Sequence, residues 1–183
     1  MSKQTGVWAA AALLLFAAVS CTNHVKTREA SVDVGAKRVV ELIGTSGARV
    51  GQAELTEMSR GVHIKVEAFN LAPGKHGFHI HESGKCEPPG FESAGGHFNP
   101  MNKHHGFDNP NGPHVGDLPN LFVGTDGTVT AEMVAKYVTL TEGHPNSLIR
   151  PGGTSLVIHA NADDYKTDPS GNSGGRIACG RIQ

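Results

Sequence analysis

Two histidines set two residues apart carry the first sign of chemistry in this chain. His79 and His81 lie in Gly77-Phe78-His79-Ile80-His81-Glu82. In an extended strand such residues share a face, with Cα atoms roughly 6.5–7 Å apart, so both imidazoles can converge on one metal ion. Phe78 and Ile80 then point the other way, into a core. A strand with two solvent-facing histidines gives the same pattern, and the pair alone does not choose between the two. The chain holds 11 histidines, however, and metal chemistry is what readily uses so many. His97, His104, His105, His114 and Asp117 follow within one stretch, and His114-Val115-Gly116-Asp117 places a carboxylate three residues after an imidazole. Three histidines with one aspartate make a closed tetrahedral zinc set. His79 and His81, with His159 further on, make an all-nitrogen set with an open position, which suits copper. Spacing thus predicts two sites of different ligand chemistry and leaves open whether they touch.

These side chains need a frame, and the pattern around them is β. Residues 39–43 and 49–55 read as strands separated by Gly44-Thr45-Ser46-Gly47. In residues 62–68, Val62, Ile64, Val66 and Ala68 alternate with His63, Lys65 and Glu67, the mark of a half-buried strand. His63 falls on its polar face and is not a ligand candidate. Pro73-Gly74 turns the chain into a strand over 76–81. Residues 82–120 then show neither strand nor helix period and are dense in Gly, Pro, Asn and His. So long an irregular run within a compact domain points to function, and a bound metal would order it. Strands resume at 121–123 and 128–130 around Gly124-Thr125-Asp126-Gly127, a hairpin pattern, and again at 137–140, 155–159 and 176–182. Residues 161–175 form a second polar, Gly-rich loop. The sum is an all-β domain of about eight short antiparallel strands, a Greek-key barrel or sandwich with two long loops.

The N-terminus is a separate matter. Lys3 precedes an apolar run of 13 residues, 7–19, too short for a membrane span of about 20 residues. Residues 1–20 therefore read as a signal peptide. Ala18-Val19-Ser20-Cys21 resembles a bacterial lipobox, which favours lipidation of Cys21 over ordinary cleavage. Residues 21–36 read as the lipidated N-terminus and a flexible tether, and residues 37–183 as the β domain. The expected location is outside the cytoplasm, anchored by lipid to the outer face of the cell membrane, at the cell surface or in the periplasm. Formal net charge is −1, so nothing pulls the chain toward nucleic acid. Of three cysteines, Cys86 and Cys179 remain once Cys21 carries lipid, and an exported protein can pair two.

Five stretches together resemble the copper–zinc superoxide dismutases: Gly77 to Glu82, Gly96-His97-Phe98-Asn99-Pro100, His114-Val115-Gly116-Asp117-Leu118, Leu156-Val157-Ile158-His159 and Gly175-Arg176-Ile177-Ala178-Cys179-Gly180. They run in the family's order from about residue 38 to the end. Gly116-Asp117-Leu118-Pro119 and the lipobox are similar to bacterial exported members. The resemblance implies one copper and one zinc per subunit. Copper would be held by His79, His81, His97 and His159, and zinc by His97, His105, His114 and Asp117, with His97 as a bridging imidazolate. His105, not its neighbour His104, is in register with the zinc ligand. Asp163 would sit behind the ligands and orient one histidine of each set. Cys86 and Cys179 would form a disulfide, Arg176 would stand beside the open copper position, and His76 would be structural. The implied catalytic residues are thus Arg176 and His97, and the implied substrate is superoxide.

The resemblance also marks departures. Only 17 positions separate His159 from Arg176, short for the family's electrostatic loop, and Lys166 is its only cation before Arg176. Some bacterial lipoprotein relatives have lost a copper ligand, whereas this chain keeps every one. The expected reaction is dismutation of two superoxide anions to O₂ and H₂O₂ through a Cu(II)/Cu(I) cycle. Two rival readings fit parts of the pattern. A surface scavenger of copper or zinc that does not turn over is one, but carriers of Cu(I) favour soft Cys or Met ligands, and here Met58, Met101 and Met133 are scattered and the cysteines read as structural. A zinc hydrolase needs an open zinc position, and the zinc set here is full.

Overall fold

The structure, a computed structural model, describes residues 34–183 together with Met1. The expected signal peptide, Cys21 and most of the tether lie outside the described residues. Nine strands form two sheets among the described residues: β1 (Lys37–Gly44), β2 (Arg49–Met58), β3 (Gly61–Ala68), β4 (Gly74–His76), β5 (Phe78–His81), β6 (Leu121–Val123), β7 (Val129–Ala135), β8 (Thr154–His159) and β9 (Arg176–Ile182). Seven run antiparallel in the order β5-β8-β9-β1-β2-β3-β7, and β4 pairs with β6 alone. The result is the expected all-β, Greek-key sandwich architecture, with the seven-stranded sheet curled over the core.

Alternation explains the packing. Val40 and Leu42 of β1, Ala53 and Leu55 of β2, and Val62, Ile64 and Val66 of β3 all point inward and are buried. They meet Phe78, Ile80, Leu156 and Ile158 from β5 and β8. Each such Val, Leu, Ile or Phe contributes about 1.5–3 kcal/mol on burial. The polar face of β3 behaves as its pattern predicts, with His63 half-buried and its Nε2 3.3 Å from Glu132. β5 and β8 differ, because every residue in both is buried. Their second face, which carries His79, His81 and His159, is roofed by the two long loops.

Two expected strands come out differently. The single strand over 76–81 is split at Gly77, whose N–H donates to Asn161 O while its own carbonyl accepts His159 N–H. The chain therefore turns a corner there: β4 pairs with β6, and β5 with β8. No strand forms over 137–140. Tyr137 takes φ +65°, which breaks an extended run, and Thr139 makes only an isolated bridge to Ser147. The buried Glu57 carboxylate takes over instead, accepting the Thr139 hydroxyl at 3.0 Å and the Leu140 N–H.

The first loop, 82–120, contains one short 3₁₀ turn, Glu92–Ala94. Backbone bonds stitch it to β5. Ile80 N–H donates to Gly116 O and Phe98 N–H to Ile80 O, while Gly116 N–H donates to Phe98 O within the loop itself. Gly116 permits this approach, since a Cβ there would lie 2.3 Å from Ile80 O. Phe98 drops into the core, and the disulfide Cys86–Cys179 ties the loop to β9 across 93 residues.

Candidate metal centre

The stitching brings the histidines together. Isolated bridges set Asp117 beside His79 and His97 beside His81, and β8 pairs with β5 so that His159 ends next to them. Ligand atoms of His79, His81, His97 and His159 lie within 4.8 Å of one another, and so do those of His97, His105, His114 and Asp117. His97 belongs to both groups. The sequence expected two sets that only the family register could join, and here they share one ring.

Each ring has one nitrogen spoken for. His81 Nδ1–H donates to Gly95 O at 3.0 Å, and His159 Nδ1–H to Gly174 O at 3.1 Å. Their Nε2 atoms face each other at 3.4 Å. His79 Nε2–H donates to Asp163 Oδ2 at 2.9 Å. On the other side, Nδ1 of His97, His105 and His114 lie 2.8, 3.1 and 3.2 Å from one oxygen, Asp117 Oδ1. Asp117 Oδ2 accepts the main-chain N–H of Gly106 and of His114, which fixes the carboxylate. His105 Nε2–H donates to Asp163 Oδ1 at 2.9 Å. Asp163 also falls within 4.8 Å of His79 and His105 ligand atoms, but it meets the nitrogens facing away from the two clusters. It is a brace that spans both.

Electrostatics sort the groups. Burial drives the His97 pKa down to about 4 against the pull of Asp117. Burial, then the neighbouring His79, takes His159 down to about 3. Burial lowers His79 too, and His81 well below its usual value. Neutral imidazoles are what a metal requires. His105 is the exception: burial opposes its charge, but Asp117 and Asp163 outweigh burial and raise it to about 9. Burial would raise Asp117, yet hydrogen bonds from His105, His114 and His97 hold it far below the usual carboxylate range.

A cation fits this arrangement. His79 Nδ1 and His97 Nε2 are fully buried and have no hydrogen-bond partner. Each is the free lone-pair position of a ring whose other nitrogen is committed. An unpartnered buried polar atom costs about 1–3 kcal/mol, and both rings belong to the group whose ligand atoms lie within 4.8 Å of those of His81 and His159. The donor set there is four nitrogens, and on the other side three nitrogens and one carboxylate oxygen.

The comparisons agree with the geometry. The sequence model of the family described as copper/zinc superoxide dismutase matches residues 49–182. The chain belongs to the copper/zinc superoxide dismutases. It is 47% identical to superoxide dismutase [Cu-Zn] 2 of Aquifex aeolicus over the full length of both chains. It is 44% identical to superoxide dismutase [Cu-Zn] of Caulobacter vibrioides over 75% of this chain and 80% of that one. Among solved structures, a superoxide dismutase-like protein from Bacillus subtilis superposes with a TM-score of 0.78 at 47% identity, covering 81% of this chain and all of that one. The Cu/Zn superoxide dismutase of Brucella abortus superposes at 0.66 and 34% identity, covering 81% and 100%. The protein is therefore a superoxide dismutase, an oxidoreductase with one copper and one zinc per subunit.

For this dismutase, the remaining sequence candidates also have definite places. His104 is exposed and turned away from both clusters, toward Asp168. His76 sits between the carbonyls of His159 and Ala72 and joins neither cluster. Arg176 is half-buried, with Nη1–H donating to Phe91 O and Nη2–H to Gly95 O. Gly95 O is the same carbonyl that takes His81 Nδ1–H, so one oxygen couples the arginine to a cluster histidine. Sequence reasoning missed that carbonyl, because backbone acceptors leave no trace in residue type. It also missed Asn120, whose side chain brackets the Asp163 backbone by accepting its N–H at 2.8 Å and donating to its carbonyl at 2.9 Å. A groove of about 660 Å³ between Arg60 and Tyr137 contains none of these residues.

Proposed function

We propose that His79, His81, His97 and His159 hold copper, that His97, His105, His114 and Asp117 hold zinc, and that His97 serves both as a bridging imidazolate. The observation that carries this is His97 itself: Nδ1 faces Asp117, and Nε2 is buried without a partner. When bound, the copper would cycle between Cu(II) and Cu(I), taking an electron from one superoxide to give O₂ and returning it to a second, which leaves as H₂O₂ with two protons, while zinc stays divalent. The residues do the rest. His97 Nε2, when not engaged by copper, would hold one of those two protons for the departing peroxide. Asp163 keeps the His79 and His105 rings in the right tautomer through their Nε2–H groups. Arg176 supplies a fixed positive charge and paired donors for a small oxyanion. The full donor set around Asp117 disfavours a hydrolase reading.

The assignment is tested by metal content. His81→Ala is expected to lose copper and activity while zinc stays largely bound, and Asp117→Ala to lose zinc first. Equal loss of both metals from both variants would undo the two-site assignment. The domain proposed to carry the activity is 37–183, preceded by the signal peptide 1–20 and a tether, 21–36, with lipid on Cys21. The apolar run before Cys21 and the Cys86–Cys179 disulfide, a bond of oxidising compartments, support export and a membrane anchor on the outer face. Cys21→Ser should move the protein to the aqueous phase of a detergent separation, and an unaltered chain already found there would remove the anchor.

A further inference from the structure

We propose that Asp168 is a positioning residue for the zinc set, a latch that clasps the two long loops to each other at the main chain of His105. The inference rests on the assignment of His105 to zinc. Asp168 belongs to the second loop, yet both of its partners are in the first. Its Oδ1 accepts the main-chain N–H of His105 at 2.6 Å, and its Oδ2 accepts the Nδ1–H of His104, also at 2.6 Å. His104, excluded from the cluster, thus becomes the second prong of a grip on its neighbour. The ring of His105 is fixed by Asp117 and Asp163, and its backbone by Asp168, so three carboxylates hold one ligand.

The latch closes a wider seam. Asp108 N–H donates to Tyr165 O at 2.9 Å, Asn109 Nδ2–H to Lys166 O at 3.4 Å, and the Phe107 and Tyr165 rings lie 5.5 Å apart. Gly106 presses so closely on this strip that a Cβ would stand 2.0 Å from Tyr165 O. These contacts are neutral. Asp168 is an ionised acceptor of two further bonds, each roughly twice as strong as a neutral one. Neither bond reaches His79, His81 or His159, so the effect falls first on the zinc side and reaches the copper set only through Asp163 and His97.

The test uses the full chain stripped of metal and retitrated with zinc against a competing chelator, then with cobalt(II), whose visible absorption reports ligand geometry. Asp168→Ala is expected to weaken zinc about tenfold, the lower end for residues that orient ligands, to alter the cobalt absorption and to lower copper affinity far less than zinc affinity. Asp168→Asn keeps an oxygen for the His105 N–H and should restore most of the zinc affinity. His104→Ala should cost less than Asp168→Ala. Asp117→Ala is the reference for the site itself. If it abolishes zinc binding while Asp168→Ala leaves affinity and cobalt absorption unchanged, the latch is wrong and the zinc set stands. Equal weakening of copper and zinc by Asp168→Ala would also overturn it, since its role would then lie in the fold as a whole. Undiminished zinc binding by Asp117→Ala would instead overturn the zinc set.

Discussion

Arg176 shows how much a single residue draws from its surroundings. A guanidinium at the start of β9 would be an ordinary surface cation, but here two carbonyls, Phe91 O and Gly95 O, fix it. Burial lowers its pKa somewhat, with Glu92 opposing, and the charge persists at any physiological pH. Superoxide is small and anionic, and the role proposed for Arg176 is to raise its capture, as a fixed positive charge beside a site does. Arg176→Ala should slow dismutation about tenfold without loss of copper, within the range of electrostatic steering. Arg176→Glu should be slower still, and added salt should slow the unaltered enzyme. Rates measured on copper-loaded variants check this, and full activity in Arg176→Glu would remove the guiding role. Arg176 stands out in the sequence only through the family resemblance and the paired cysteines. The carbonyls that aim it do not, because they belong to a loop 81 and 85 residues away.

At the scale of elements, the decisive feature is a loop used as a strand. Residues 82–120 have no period of their own, yet two backbone bonds at Ile80 lay them against β5, a third joins Gly116 to Phe98 within the loop, and the Cys86–Cys179 bond holds their start to β9. Phe91 and Ala94 pack with Val157 and Cys179 around that bond, which ties the Arg176 carbonyls to the sheet. Replacing both cysteines by serine should therefore cost about 2–4 kcal/mol, read from urea unfolding. It should also slow turnover more than it lowers copper content, because the loop that aims Arg176 is loosened first. An unchanged unfolding midpoint would contradict this. The strands with period two were legible because half of each faces water, as in β3. The split at Gly77 and the absent strand at Tyr137 were not. Each depends on a distant partner, Asn161 in one case and Glu57 in the other, and neither leaves a local pattern.

The molecule as a whole is a sheet that buries a block of imidazoles under two loops, and that has a cost in acid. In the metal-free protein His97 and His159 titrate at about 4 and about 3, below the usual histidine value near 6.5. The unfolded chain binds their protons first, so this part of stability is full above about pH 6.5 and is lost as pH falls through about 4 and then 3. His105 runs the other way: its value, raised to about 9, adds stability below about pH 6.5 that fades as pH rises through 9. Unfolding midpoints of the metal-free chain should fall on both sides, and a midpoint that rises on acidification from pH 6.5 to 4 would be inconsistent with four buried neutral rings. The two-site logic could be read from residue types, since nitrogen-only and mixed nitrogen–carboxylate sets differ in chemistry. Their fusion at His97 could not, because it is made by bridges between β5 and a loop. The central claim is that this fused site performs dismutation with copper at the nitrogen set. Its most direct test is superoxide consumption by the purified chain loaded with zinc alone and then with zinc and copper, beside His81→Ala treated identically. The account predicts fast consumption only by the unaltered chain with both metals. Equal rates with zinc alone, or in His81→Ala, would contradict it.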